Sequence, residues 1–205
     1  MPRQLFAVSR AYAALGLLIA AAGCASGGSR SAAFVPPSRP AEFSLAGIPW
    51  GIGADSLTAL ISPLGYNYNK ADDDGDLWYD GILYRTPTRV YAFMSNQKLV
   101  KFRVVIHTPD EKAIATYNSA RAELVKQYGQ PRETLEEYEA PYAKGDNKHV
   151  KAFKDKKATM RTYWLPKGSR TSHVAVSVAS NLTVFVDYES AAWDKESVRR
   201  RQSGQ

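Results

Sequence analysis

The sequence predicts an α+β domain in which an antiparallel sheet of about six strands packs against two helices. Apolar residues recur with helical spacing in two segments, near 55–64 and 108–128. Between and after these segments, apolar and polar residues alternate, which is typical of strands with one buried face. Turn residues such as Ser180-Asn181 join neighbouring strands as hairpins, so the pairing is expected to be antiparallel.

The first helix is expected to begin at Asp55, a suitable N-cap residue, and to be short because Pro63 and Gly65 follow. The second has a clearer start signal. Thr108 and Glu111 form a capping box around Pro109, which suits the first helical position. Gly129 and Pro131 end this second helix. Its apolar face comprises Ile114, Tyr117, Leu124 and Tyr128.

Alternation predicts strands at about 76–84, 88–94, 99–107, 159–165, 172–179 and 182–188. In the third strand, Val100, Phe102, Val104 and Ile106 share one face, and Lys101, Arg103 and His107 share an opposite, solvated face. The order of helix, three strands, helix, loop and three strands suggests two copies of an α-β-β-β unit.

Two polar segments separate these elements. Residues 67–75 are predicted to form a turn, and residues 132–157 either contain a short helix near 147–156 or form a long excursion. The predicted organisation is a signal peptide (1–23), a lipidated cysteine and flexible tether (24–42), the domain (43–190) and a charged C-terminal tail (191–205).

The amino terminus has the parts of a secretory leader. Arg3 and Arg10 are its only charges, and Ala11–Ala22 is apolar but too short for a hydrocarbon core of about 30 Å. The chain carries a net charge of +7, so removing the leader would leave a mildly basic protein. A Gly-, Ser- and Pro-rich segment follows, whose composition is typical of a flexible spacer.

Ala21, Ala22, Gly23 and Cys24 together resemble the lipobox of bacterial lipoproteins. The resemblance implies cleavage between Gly23 and Cys24, lipidation of the Cys24 thiol, and a membrane anchor made stable by more than one acyl chain. In a diderm host, Ala25 would direct the protein to the outer membrane, facing the periplasm. The alternative is an ordinary secretory signal with an incidental cysteine.

No catalytic motif is present in the sequence. The histidines at 107, 149 and 173 are isolated, and no phosphate-binding loop, nucleophile elbow or zinc motif occurs. Asp72, Asp73, Asp74 and Asp76 surround Gly75 but do not fit the register of a calcium-binding loop, so an exposed acidic turn is the preferred interpretation. No cofactor or metal site is predicted.

The segment 142–170 contains nine lysines and arginines against two aspartates. This charge suggests binding to an acidic surface, and a solvated loop is the alternative. Nucleic acid is not expected as a partner. The residues proposed for such binding are Lys148, Lys151, Lys154, Lys156, Lys157 and Arg161.

Aromatic residues are frequent on the predicted strands. Tyr91 and Phe93 must face away from Val90 and Ala92, so either helices cover one of the two sets or one set is exposed for protein contact. The preferred interpretation is that the aromatic rings fill the core. The element order resembles that of β-lactamase-inhibitor-like domains and of the small lipoprotein of the outer-membrane barrel-assembly machine. Together these features predict a non-catalytic domain that binds another envelope protein or polymer; the alternative is an enzyme or small-ligand-binding domain.

Overall fold

A computed structural model describes residues 43–83, 86–168 and 172–204. It confirms the α+β class and the antiparallel sheet, but the element count differs from the prediction. The described residues form one antiparallel sheet of eight strands and four α-helices, rather than about six strands and two helices. The predicted leader, lipidation site and tether lie outside the described residues.

The helices are α1 (Ala54–Ile61), α2 (Ala113–Tyr128), α3 (His149–Lys154) and α4 (Ala191–Ser203). The strands are β1 (Asn67–Ala71), β2 (Leu77–Leu83), β3 (Thr86–Ser95), β4 (Lys98–Ile106), β5 (Glu133–Tyr138), β6 (Ala158–Trp164), β7 (His173–Val178) and β8 (Val184–Glu189). All six predicted strands are present, and α3 lies where the short helix near 147–156 was considered.

Three elements differ from the prediction. Strands β1 and β5 lie in segments predicted to be polar turn or loop, and α4 lies in the predicted charged tail. Both strands are the edges of the sheet, and every residue of β1 is exposed, so no alternation marks them. The capping box before α2 is also absent. A 3₁₀ turn over Asp110–Lys112 leads into that helix without a side-chain cap.

The sheet order is β1-β2-β3-β4-β8-β7-β6-β5, so the chain folds as two halves that meet at β4 and β8. Each half is a helix followed by four consecutive strands, with α1 leading the first and α2 the second. The predicted repeat of one helix and three strands therefore lacked one strand in each half. Because β4 and β8 are antiparallel, the strand arrangement is that of an approximate two-fold axis between them.

One hydrogen bond recurs in both halves and supports this symmetry. Thr58 of α1 bonds to Tyr79 of β2, with 2.9 Å between Oγ1 and the phenol oxygen. Tyr117 of α2 bonds to Thr162 of β6 in the same way, at 2.6 Å. Thr58 and Tyr117 are each the fifth residue of their helix, and each partner lies on the second strand of its half. The two halves thus join helix to sheet at equivalent places with the residue types exchanged.

The helices α1, α2 and α3 pack on one face of the sheet, where the hydrophobic core lies. Strand residues pointing into this core include Tyr79, Val90, Phe102, Val104, Val176 and Val186. The opposite face, called the open face here, is the surface that α1, α2 and α3 do not cover. Tyr91 and Phe93 lie on it, whereas Val90 and Ala92 are fully buried in the core.

Candidate binding surface

Ion pairs cross the centre of the open face where β4 meets β8. Lys101 lies opposite Glu189, and Lys101 Nζ is 2.7 Å from Glu189 Oε1. Arg103 lies opposite Asp187 and bonds both carboxylate oxygens, at 2.7 and 2.9 Å. This bidentate hydrogen bonding raises the pKa of the Arg103 guanidinium. The charges at the centre are therefore paired, as buried and half-buried charges must be.

A histidine extends this ladder onto β7. His173 lies opposite Glu189, with 3.4 Å between His173 Nε2 and Glu189 Oε2. On the other side, Nη2 of Arg161 reaches to 3.4 Å from the same imidazole nitrogen. The ladder thus runs from β4 to β6, across the junction of the two halves.

Aromatic rings surround these charges. Trp78 and Tyr91 pack edge to face at 4.9 Å between ring centroids, and both are half-buried. Lys70 Nζ lies 3.9 Å from the Trp78 ring centroid, and the Arg103 guanidinium lies 4.5 Å from that of Phe185. Half-buried aromatic and arginine side chains of this kind are enriched at the centres of protein interfaces.

Asp80 and Arg89 pair near the β1 side of the open face. They lie opposite each other on β2 and β3, with 2.7 Å between Arg89 Nε and Asp80 Oδ1. The hydrogen bond from Arg89, supported by one from Asn69, lowers the pKa of Asp80. Asp80 is thus held ionised, and the positive charge of Arg89 balances its negative charge.

Helix α4 covers one end of the open face. Its Trp193 packs against Phe93 with 5.3 Å between ring centroids, and Lys101 Nζ lies 4.6 Å from the indole. Lys101 is consequently only 4% exposed, although its strand face was predicted to be solvated. The prediction was wrong at this position because the covering residue lies about ninety positions away in the chain.

A buried ion-pair network holds α4 in place. The two terminal nitrogens of Arg200, Nη1 and Nη2, donate to the carboxylate of Asp76 at 2.6 and 2.9 Å. Its Nε donates to Glu196 Oε1 at 2.8 Å. Asp76 also accepts a hydrogen bond of 2.7 Å from the backbone N–H of Met94. Hydrogen bonds from Arg199, then Arg200 and Ser95, lower the pKa of Glu196 to about 2. The predicted C-terminal tail is therefore a docked helix.

The acidic run on the β1–β2 turn was predicted to be an exposed turn, and Asp76 departs from that prediction because it is 3% exposed. Asp72 also has a structural role, since its Oδ1 accepts the backbone N–H groups of Asp74 and Asp76 at 3.1 and 2.9 Å. Across the described ranges, no group of three or more His, Cys, Asp or Glu side chains is placed to hold a metal ion.

The basic residues singled out in the sequence are divided between two regions. Lys151 pairs with Asp155 and Lys154 with Asp110, at 2.6 and 2.7 Å. Lys157 donates to the carbonyl of Ala140 at 2.7 Å. Lys148 and Lys156 are exposed near the ends of α3. Asp155 and Asp110 therefore offset part of the positive charge of these lysines, which lie near α3 on the helix side of the sheet.

Arg161 belongs to a different surface. It points from β6 onto the open face, because its neighbours Met160 and Thr162 are buried on the core face. The six residues proposed for acidic-surface binding therefore do not form one patch. Binding of an anionic surface by the α3 lysines stays a prediction, and a fall in affinity with added salt would test it.

The remaining sequence predictions concern the anchor. Ala21, Ala22, Gly23 and Cys24 lie outside the described residues, so lipidation stays a prediction. Among the residues that the structure describes, no helix is long and apolar enough to cross a membrane.

In comparisons with known proteins, no family model, curated protein or solved structure matches the chain. The resemblances to lipoproteins and to β-lactamase-inhibitor-like domains therefore remain predictions from the sequence. A functional proposal for the domain depends on the geometry and chemistry of the open face.

Proposed function

We propose that this chain is a lipid-anchored bacterial lipoprotein whose domain is a non-catalytic binding module for another protein of the cell envelope. The observation that carries the proposal is the open face. It presents half-buried Trp78, Tyr91 and Phe185 beside arginines whose charges are already paired. Aromatic and arginine side chains are enriched at protein interfaces, and half-buried rings gain from apolar contact, which favours a protein partner.

The dimensions of the open face fit this role. From β2 to β6 it spans five inter-strand gaps, about 24 Å at the usual strand spacing. A standard protein interface buries about 800 Å² on each partner, which is a patch of the same order of width. The rigidity of a sheet also limits the conformational entropy lost on binding.

Site-specific photocrosslinking in the producing cell would test the binding proposal. A photoreactive phenylalanine analogue at Tyr91 is expected to form adducts with one defined envelope protein, whereas the same analogue at Ser119, an exposed position on α2, is not. Alanine at Phe185 should then reduce the Tyr91 adduct. Equal labelling from Tyr91 and Ser119 would refute the open face as the binding surface.

The anchor is tested separately with Cys24→Ala. If Cys24 is lipidated, this change should release the protein from membranes or leave its leader unprocessed while the domain stays folded. Unchanged membrane fractionation, with no lipid mass on the wild-type amino terminus, would refute the anchor and leave the binding proposal intact.

A further inference from the structure

A groove of about 680 Å³ opens on the helix side of the first half, between α1 and β1. The residues lining it include Asp55, Thr58 and Ala59 of α1, Tyr68 of β1 and Leu77 of β2. Tyr68, which is 51% exposed, is the large aromatic side chain that lines this groove, and the exposed Leu60 and Leu64 of the same half do not line it. A concave surface with an exposed ring and apolar side chains in its wall is a candidate binding site.

The second half shows what occupies the equivalent place there. Leu77 lies two residues before Tyr79 on β2, as Met160 lies two residues before Thr162 on β6, so the recurring hydrogen bonds align the two positions. Helix α3 packs on β6, and its Phe153 enters the core at 1% exposure. Because α3 belongs to the β5–β6 connection, its counterpart in the first half would come from the short β1–β2 turn, which holds no helix.

A carboxylate lies near the start of the helix at both places, although the two are not at aligned positions. In the second half, Lys154 of α3 pairs at 2.7 Å with Asp110, just before α2 begins. In the first half, Asp55 lies in the first turn of α1, is exposed and lines the groove. The described residues provide it with no ion-pair partner.

The adjacent sheet edge disfavours an alternative occupant, an added strand. The β1–β2 register shifts between Tyr68 and Lys70, which places a β-bulge at Asn69 on the exposed strand. A bulge and an exposed lysine are both features that protect edge strands from pairing. A helix resting on the groove needs no hydrogen bonds from this edge.

We propose that this groove binds a short helix of another protein, which takes the place that α3 takes in the second half. One large apolar or aromatic side chain of that helix enters the groove beside Thr58 and Leu77, and an adjacent lysine or arginine pairs with Asp55. This site is on the opposite side of the sheet from the open face, so it is a second interaction surface and does not depend on the first.

The probe for this site is a synthetic helical peptide with the sequence of residues 147–158, which carries Phe153 and Lys154 of α3. Binding to the full chain in detergent micelles is measured by fluorescence anisotropy. We expect saturable binding that is lost when Phe153 of the peptide is replaced by alanine and weakened when its Lys154 is replaced by glutamate.

Substitutions in the protein locate the binding. Ala59→Lys should weaken it at least about tenfold, equivalent to roughly 1.4 kcal/mol. Ala115→Lys, the matched change at an exposed alanine of α2, should leave it unchanged. Circular dichroism shows whether the Ala59→Lys protein is folded. Asp55→Asn is a milder second variant. It should weaken binding of the original peptide but not of the peptide whose Lys154 is replaced by glutamate. No saturable binding, or binding that neither Ala59→Lys nor Asp55→Asn alters, would overturn the proposal.

Discussion

The two halves of the sheet share one plan and differ in how their surfaces are covered. The second half has a sixteen-residue α2 and a supplementary α3, which together cover its core face. The first half has an eight-residue α1 and an open groove, but α4 covers part of its other face. The repeated plan supplies the scaffold, and the candidate binding surfaces arise where the halves differ.

The largest effect is expected from Phe153→Ala, which would remove the anchor of α3 and give the second half a cavity. Truncation of a fully buried phenylalanine costs about 3–5 kcal/mol, and we expect about 4 kcal/mol in the free energy of unfolding from urea titration. For comparison, Leu60→Ala on α1 of the first half removes a side chain that is 45% exposed and should cost under about 1 kcal/mol. Equal losses would contradict the difference in coverage.

A slightly smaller loss is expected from Arg200→Ala, which detaches α4 from the first half. It would leave Asp76 buried without its cation, and breaking a buried pair costs about 3–5 kcal/mol. Because the Arg200 side chain is 10% exposed, we expect about 3 kcal/mol, the lower end of that range. Arg201→Ala, at an exposed neighbour, is the control and should change stability by under about 0.5 kcal/mol.

A double variant separates the ion pair from other contacts of α4. If the loss in Arg200→Ala arises from the stranded carboxylate, combining it with Asp76→Ala should cost less than the sum of the two single changes. Strict additivity would show that the two side chains act independently.

The recurring helix–strand hydrogen bond tests the symmetry itself. Tyr117→Phe removes the bond to Thr162 and should cost about 1 kcal/mol. Tyr79→Phe removes the equivalent bond to Thr58 and should cost somewhat less, since that bond is only partly buried. Denaturant titration of both variants measures the difference, and no loss in either would mean that these bonds do not stabilise the helices on the sheet.

A pH-dependent effect is expected from Glu196 of α4. Because the pKa of Glu196 is lowered from 4.5 to about 2 in the folded protein, its contribution to stability is fully present above 4.5. That contribution declines as the pH falls from 4.5 toward 2. Glu196→Gln should therefore reduce the unfolding free energy at neutral pH and lessen its decline over that acid range. A decline identical to that of the wild type would show that Glu196 is not the group responsible.

The sequence predicted helices and strands correctly where apolar side chains bury one face of the element. Strand β3 and the second half of β4 alternate because one side packs under helices, and α2 ends at Gly129 as predicted. The edge strands β1 and β5 bury little, so they lack that alternation. Helix α4 gave no apolar stripe, because its buried residues are the charged Glu196 and Arg200.

The candidate surfaces were only partly predictable. Alternation placed Tyr91 on the face opposite Val90, but it did not decide which face the helices cover. The pairing of Arg103 with Asp187, 84 positions apart, depends on β8 returning beside β4. No local pattern identifies such a pair, since either residue alone resembles an ordinary surface charge.

The sequence by itself determined the fold class, six strands and the main helix, because burial on one side imposes a period on neighbouring residues. The tertiary structure decided which strands meet, which face stays open and which charges are buried. These properties depend on contacts between distant segments, such as Asp76 with Arg200 and Phe93 with Trp193. A local pattern cannot encode them, because the free energy of burying a charge or a ring depends on the partner that covers it.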